Sequence, residues 1–283
     1  MSQYKKLVVK FSCSEVSAIT KYAYKNYGES NETVYKNYFD KICNNACSDL
    51  VKKSVIQTPE IIVKTIVNQR PILKETIEKC KEMSLISRTS RDVAKVKSVA
   101  KVLIKFDELE LESSDEEELI VKPKLDAKIK LINKHVEKQI NCSYGIGNED
   151  IADKLYIETR LRKTYTDQTT YQKIVFETNE IDFILVGRID RYEMINDEKV
   201  VMEIKNRVSR LNRKIFDNEK VQTHLYMYLL DAKKSIITEQ CNGSISVINC
   251  DLNTDFLNEI LDNIKTFCCN VMVHRNEYIK NNL

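Results

Sequence analysis

At 283 residues, with 42% hydrophobic and 31% charged side chains, the chain is long enough to bury one large α/β core or two smaller ones. Its net charge of +3 conceals a segregation: residues 107–118 (DELELESSDEEE) carry eight acids and no base, which leaves the remainder at +11 and suits a polyanionic partner. Nine cysteines, an odd number at spacings unlike common zinc motifs, argue against a disulfide framework; no apolar run reaches the ~20 residues of a membrane span, and Lys5, Lys6 and Lys10 interrupt any leader pattern, so an intracellular protein with no membrane partner is expected.

In chain order, residues 11–27 (FSCSEVSAITKYAYKNY) place Ser12 or Ser14 as an N-cap before Val16, Ala18 and Ile19, which predicts a helix from about Glu15. Tyr35, Tyr38, Phe39, Ile42, Ala46 and Leu50 recur at helical spacing, and a second helical run starts at Pro59 and is interrupted or restarted at Pro71. Residues 87–106 read either as a helix or as an exposed basic segment, and the acidic stretch over 107–124 as a solvated loop or linker. A helix follows over 125–140, with Leu131, Ile132, His135 and Val136 on one side. The Gly145-Ile146-Gly147 turn leads into another amphipathic helix (IADKLYIETRL). Glu149 and Asp150 at its start would repel a phosphate, which argues against a nucleotide loop; an acid on that first turn, facing inward, reaches a metal site instead.

Residues 171–176 (YQKIVF) predict a strand that runs into the most informative stretch, residues 182–207 (DFILVGRIDRYEMINDEKVVMEIKNR), which reads as two strands and a turn. Alternation puts Glu203 and Lys205 on one face with Val201, and Val200, Met202 and Ile204 on the other. With Asp190 at the end of the preceding strand, two acids and a lysine converge at one end of a hairpin. That is what a divalent ion and an attacking water require for phosphodiester hydrolysis. Acid-x-Lys triplets begin at Asp126, Asp197, Glu203 and Asp231, but only the one at Glu203 lies in an apolar β-run. The basic run after it, with Arg207, Arg210, Arg213 and Lys214, either lines a groove for a phosphate backbone or is an exposed loop. A helix over 219–230 then carries Gln222 and Tyr226 one turn apart on one face. Residues 235–237 and 244–250 form a second hairpin with Asn242-Gly243 between them, and an amphipathic helix over 255–278 closes the chain.

Four blocks in this order resemble the PD-(D/E)xK nuclease superfamily, in particular the lambda exonuclease and YqaJ-type viral recombinase nucleases. They are Phe11-Ser12-Cys13-Ser14-Glu15-Val16; Tyr144-Gly145 with Glu149; Asp190 with Glu203-Ile204-Lys205; and Gln222 with Tyr226. One departure is the lack of an arginine just upstream of Ser14, where family members use one for the terminal phosphate.

The resemblance implies an α/β (α+β) fold: a restriction-endonuclease-like mixed central sheet flanked by helices. A helical N-terminal region over 1–106 would pack on a nuclease core over 125–283. It implies a metal-dependent DNA exonuclease acting at duplex ends in recombination or genome processing, in the cytoplasm or nucleus. Asp190, Glu203 and the Ile204 carbonyl would bind Mg²⁺ or Mn²⁺, with Glu149 on a second ion directly or through water. Lys205 would orient or deprotonate the attacking water, Gln222 would position Lys205 or the DNA backbone, and Tyr226 would support them. Ser14, Arg188, Arg207, Arg210, Arg213 and Lys214 would contact DNA. Double-stranded DNA and a single-strand annealing protein are the implied partners, and an oligomer is compatible with the resemblance. The alternatives are an endonuclease of the same fold and a DNA-binding module without catalysis; the presence of both acids and the lysine speaks against the second.

Overall fold

Strand alternation begins earlier than the lysine-broken N-terminus suggests. In the computed structural model, which describes residues 6–23, 30–50, 59–109 and 118–282, β1 (Leu7–Ser12) buries Val9 and Phe11 and exposes Val8 and Lys10. The helix expected from Glu15 is replaced by a single 3₁₀ turn, Val16–Ile19. The Thr20 hydroxyl donates to the Ser17 carbonyl at 2.9 Å and accepts from the Tyr22 amide at 3.1 Å, offering the backbone a local alternative that stops the helix.

Helices follow: α1 (Asn31–Ala46), α2 (Pro59–Gln69), α3 (Pro71–Ile86), α4 (Ser90–Leu109), α5 (Glu118–Gly147) and α6 (Glu149–Arg160). Pro71 is tolerated at the first turn of α3, where its missing N–H costs nothing. The basic stretch before the acidic run is helix, and α5 extends beyond the expected 125–140 at both ends. Helix therefore occupies both ends of the stretch 107–124, whose middle, 110–117, lies outside the described residues.

The strands are β2 (Thr164–Thr166), β3 (Tyr171–Glu177), β4 (Ile181–Gly187), β5 (Arg191–Ile195) and β6 (Glu198–Asn206), then α7 (Asp217–Leu230), β7 (Lys234–Cys241), β8 (Ser244–Asp251) and α8 (Thr254–Asn282). They build two mixed sheets, β1-β4-β3 and β2-β5-β6-β7-β8, with β1 parallel to β4 and β6 parallel to β7. The stretch expected to be one hairpin is thus divided: β4 belongs to the first sheet, β5 and β6 to the second, and the break falls at residues 188–190. The β5–β6 turn is a two-residue connection, and its Asn196 and Asp197 take φ of 49° and 63°, the left-handed pair that matches strand twist. The β6-α7-β7 unit is the helical crossover that a parallel pair requires.

The fold is α+β, with mixed sheets flanked by helices, as expected. Val9 and Phe11 of β1, Tyr38 and Ile42 of α1, Phe183 of β4, Leu225 of α7 and Phe267 of α8 share one core. A second core joins α3 and α4 to α5 through residues such as Ile77, Val96 and Ile140. A third lies between α6 and the far face of β6, where Tyr156 meets Val200, Met202 and Ile204. No helix among the described residues is long and apolar enough to cross a membrane.

At Gly187 of β4 the side chains of α7 press directly on the strand backbone. A Cβ there would lie 2.8 Å from Cys13 Sγ, 2.8 Å from Tyr226 Cε1 and 2.9 Å from Leu229 Cδ1. Gly187→Ala is therefore expected to destabilise the protein by about 1–3 kcal/mol. Urea unfolding reads this directly, and an unchanged midpoint would mean that α7 does not seat on Gly187 as described.

Candidate active site

Glu203 lies on the β6 face that α7 covers, and it is 5% exposed. A carboxylate this deep must be paired or hydrogen-bonded. Its Oε1 accepts from Lys205 Nζ at 2.6 Å and from Gln222 Nε2 at 3.0 Å. Gln222 Oε1 accepts from Lys205 at 3.2 Å, and its amide also donates to the Tyr226 hydroxyl at 2.9 Å. Gln222 thus ties the acid and the lysine of β6 to each other and to α7. The one-turn spacing of Gln222 and Tyr226 puts both on the helix face turned toward the strand.

Asp190 ends the break between the two sheets, and its Oδ2 accepts from the Ile204 amide at 2.7 Å, which docks the break against β6. Burial, reinforced by the Glu203 charge, pushes the Asp190 carboxyl well above the usual range. Burial opposes the charge on Lys205, but the charge and hydrogen bond of Glu203 outweigh it and raise its pKa. Burial also raises the Tyr226 phenol, with Glu203 adding to the effect. All three shifts describe a poorly solvated site crowded with negative charge.

Glu149 approaches from the first turn of α6. The α5–α6 junction is fixed by side-chain amides: Asn148 Nδ2 donates to the Ser87 and Tyr144 carbonyls at 2.9 and 2.8 Å, and Asn206 Nδ2 donates to the Gly145 carbonyl at 2.7 Å. A side chain at Gly147 would collide with the Leu85 carbonyl. Arg191 binds α6 to the Asp190 segment, reaching Asp150 at 2.6 Å, Asp153 at 3.3 Å and the Asp190 carbonyl at 2.8 Å. Burial raises the Glu149 carboxyl, Arg191 opposes that rise, and the Glu203 charge adds to it. α6 packs on the far face of β6, opposite the face that carries Glu203, and Glu149 is linked to Asp190 and Glu203 by charge alone. Among the described residues no three His, Cys, Asp or Glu side chains gather as a ready-made ion site.

Asp190 and Glu203 nevertheless suit a hard cation. Glu203 Oε2 is buried and has no hydrogen-bond partner, and two crowded carboxylates are left with only Lys205 as a neighbouring cation on β6. An all-oxygen donor set of this kind prefers Mg²⁺ or Mn²⁺ to softer metals.

The expected DNA contacts divide. Ser14 is exposed just after β1, bonded to Ser12 at 2.8 Å; its neighbour Cys13 and the site residue Tyr226 both border Gly187, which puts the two serines near the site. Arg188, Arg210, Arg213 and Lys214 are exposed. Arg207 departs from the expectation of a DNA contact. Its guanidinium lies 2.7 Å from Glu219 and 2.7 Å from Glu239, both buried, so its charge is committed inside the protein. Glu239 Oε2 also accepts from the Asn212 and Arg213 amides at 3.0 and 2.7 Å, which fixes the loop that carries the exposed basic residues. Arg191, Asn148 and Asn206 were not among the expected site residues. Their roles depend on partners distant in the chain, and only the side-chain type of Asn148, just before a helix, hinted at one.

No family model and no curated protein matches the chain. Among solved structures, the protein SSO0001 is similar at 18% identity, covering 61% of this chain and 86% of its own with a TM-score of 0.36. A phage-related exonuclease from Haemophilus somnus 129PT is similar at 14% identity, covering 65% of this chain and 83% of its own with a TM-score of 0.35. At such distances the functional argument rests on the side chains.

If Asp190 and Glu203 hold a divalent ion, Mg²⁺ at about 100 times its Kd should stabilise the protein by about 2.7 kcal/mol. A thermal-shift titration with and without EDTA is expected to show this in the wild type and not in Glu203→Gln. Equal shifts in both would place the ion elsewhere.

Proposed function

We propose that the protein is a metal-dependent deoxyribonuclease that hydrolyses phosphodiester bonds, working as an exonuclease at duplex ends. The observation that carries this reading is the buried Glu203–Lys205–Gln222–Tyr226 network beside Asp190, with one Glu203 oxygen left without a partner. Among the buried side-chain atoms without a partner in the described residues, Glu203 Oε2 is the carboxylate oxygen, and beside Asp190 it is available to a cation. A divalent ion at Asp190 and Glu203, with the Ile204 carbonyl and Glu149 as further candidate ligands, would polarise a phosphoryl oxygen and lower the pKa of a bound water.

The side chains divide the remaining work. Lys205, held charged by Glu203, is a hydrogen-bond donor rather than a base, so its role is to orient the water and to stabilise negative charge developing on the phosphate. Gln222 fixes the ammonium by accepting from it, and Tyr226 fixes Gln222 in turn. Burial excludes bulk water from this pair, which strengthens each interaction with the phosphate. Ser14, Arg188, Arg210, Arg213 and Lys214 are the proposed phosphate contacts, and the resection product would feed a single-strand annealing partner. Exonuclease rather than endonuclease action rests on the similarity of the four sequence blocks to the viral recombinase nucleases.

Incubation with linear and covalently closed circular DNA, in Mg²⁺ and in EDTA, tests the reading. Degradation of linear DNA alone, dependent on Mg²⁺ and abolished in Glu203→Ala and Lys205→Ala with DNA binding retained, is the expected result. Cutting of the circle would identify an endonuclease, and binding without cleavage a non-catalytic module. Replacing Arg210 or Lys214 by glutamine should lower the magnitude of the salt slope of duplex binding by ~0.9 each. A slope that stays at the wild-type value returns that loop to the status of ordinary surface.

A further inference from the structure

The sheet face that carries Glu203 and Lys205 continues past β6 to the edge of the five-stranded sheet. Residues two apart on a strand share a face, and so do residues directly opposite each other on neighbouring strands. Lys199, Val201 and Glu203 therefore lie on one face of β6, Tyr192 lies there opposite Val201, and Tyr165 lies there opposite Tyr192 on the edge strand β2.

These side chains form a ladder. Tyr165 and Tyr192 stack with ring centroids 5.2 Å apart and planes within 20°. Lys163 Nζ stands 4.9 Å from the Tyr165 centroid, and Lys199 Nζ stands 4.3 Å from that of Tyr192. The inner rung is fixed, because Tyr192 packs against the main core and Lys199 is held by Asp167 at 3.7 Å. The outer rung is open: Tyr165 is 36% exposed, and Lys163 above it is exposed as well. A tyrosine pair stacked on a sheet edge and flanked by ammonium groups has one chemical complement in a DNA substrate. A duplex hides its base faces within its own stack, whereas a single strand offers a π-face at each base beside a phosphate.

We propose that Tyr165, Tyr192 and Lys163 form a stacking platform for single-stranded DNA, holding the strand that runs to or from the Glu203 site. A base takes the outer face of Tyr165, and the Lys163 ammonium, displaced from that face, meets the adjoining phosphate. The choice of DNA as the ligand and the part assigned to the strand rest on the nuclease reading; the stacked tyrosine pair and its flanking ammonium groups do not.

The test is binding of fluorescein-labelled oligo-dT to the full chain in EDTA, read by anisotropy, together with the fluorescence of an oligonucleotide carrying 2-aminopurine. Tyr165→Ala should bind about 5- to 150-fold more weakly, the range measured for loss of one base–aromatic stack. Tyr165→Phe, which keeps the ring, should bind like the wild type, and Lys163→Gln should lower the magnitude of the salt slope by ~0.7. Wild type should quench 2-aminopurine by stacking, and Tyr165→Ala should not. Wild-type affinity and quenching in Tyr165→Ala would overturn the platform, as would a wild type that gives no quenching. Since no metal is present, a protein that binds and stacks oligo-dT but never cleaves DNA would keep the platform and remove the nuclease reading. A protein that cleaves while Tyr165→Ala leaves binding and quenching unchanged would do the reverse.

Discussion

Burial of the Glu203 carboxylate is the constraint on which the rest depends. A carboxyl group buried on a central strand is tolerated only where donors reach it, and here they come from two places: Lys205, two residues along the same strand face, and Gln222, on the crossover helix. For Gln222 to arrive, α7 must lie close to the sheet, and that approach is possible because Gly187 has no side chain. The parallel β6–β7 pair makes α7 a crossover in the first place. Site geometry and topology are therefore one arrangement, since the helix that crosses over between β6 and β7 also supplies a donor to the buried acid.

A second buried charge system stands behind the first. Arg207 leaves the end of β6 and is captured between Glu219 of α7 and Glu239 of β7, while Glu239 gathers the amides of the loop that follows. Arg207 thus joins strand, helix and neighbouring strand at the site's edge, and it holds in place the loop bearing Arg210, Arg213 and Lys214. Of the five cations from Arg188 to Lys214 expected at DNA, the one that directly follows β6 is the one the fold uses for itself. Two buried carboxylates within reach occupy its guanidinium inside the protein.

Much of this was legible along the chain. Alternation from Val200 to Lys205 sorted the two faces of β6 correctly, because a period of two is a local property of an extended backbone. The 3.6-residue period located α1, α3, α6, α7 and α8, and the Asn-Gly pair located the β7–β8 turn, where Asn242 and Gly243 take φ of 49° and 79°. Other features escaped. β1 carries Lys10 on its exposed face and reads as a broken apolar run until β4 is beside it. The helix expected after Ser14 failed because Thr20 hydrogen bonds compete with it, and the supposed single hairpin was divided because Asp190 docks on the Ile204 amide rather than continuing β4 into the second sheet.

By itself, then, the sequence determined where the candidate site residues lie: which acids and which lysine sit in apolar strand context, and which helix carries Gln222 and Tyr226. Local periodicity and residue type suffice for that. Only the tertiary structure decided which partners those groups meet. It brought Gln222 to Glu203, left Glu203 Oε2 without a donor, set Glu149 on the far-face helix and committed Arg207 to two buried acids. Each of these is a contact between residues far apart in the chain, fixed by burial and charge balance rather than by any local pattern.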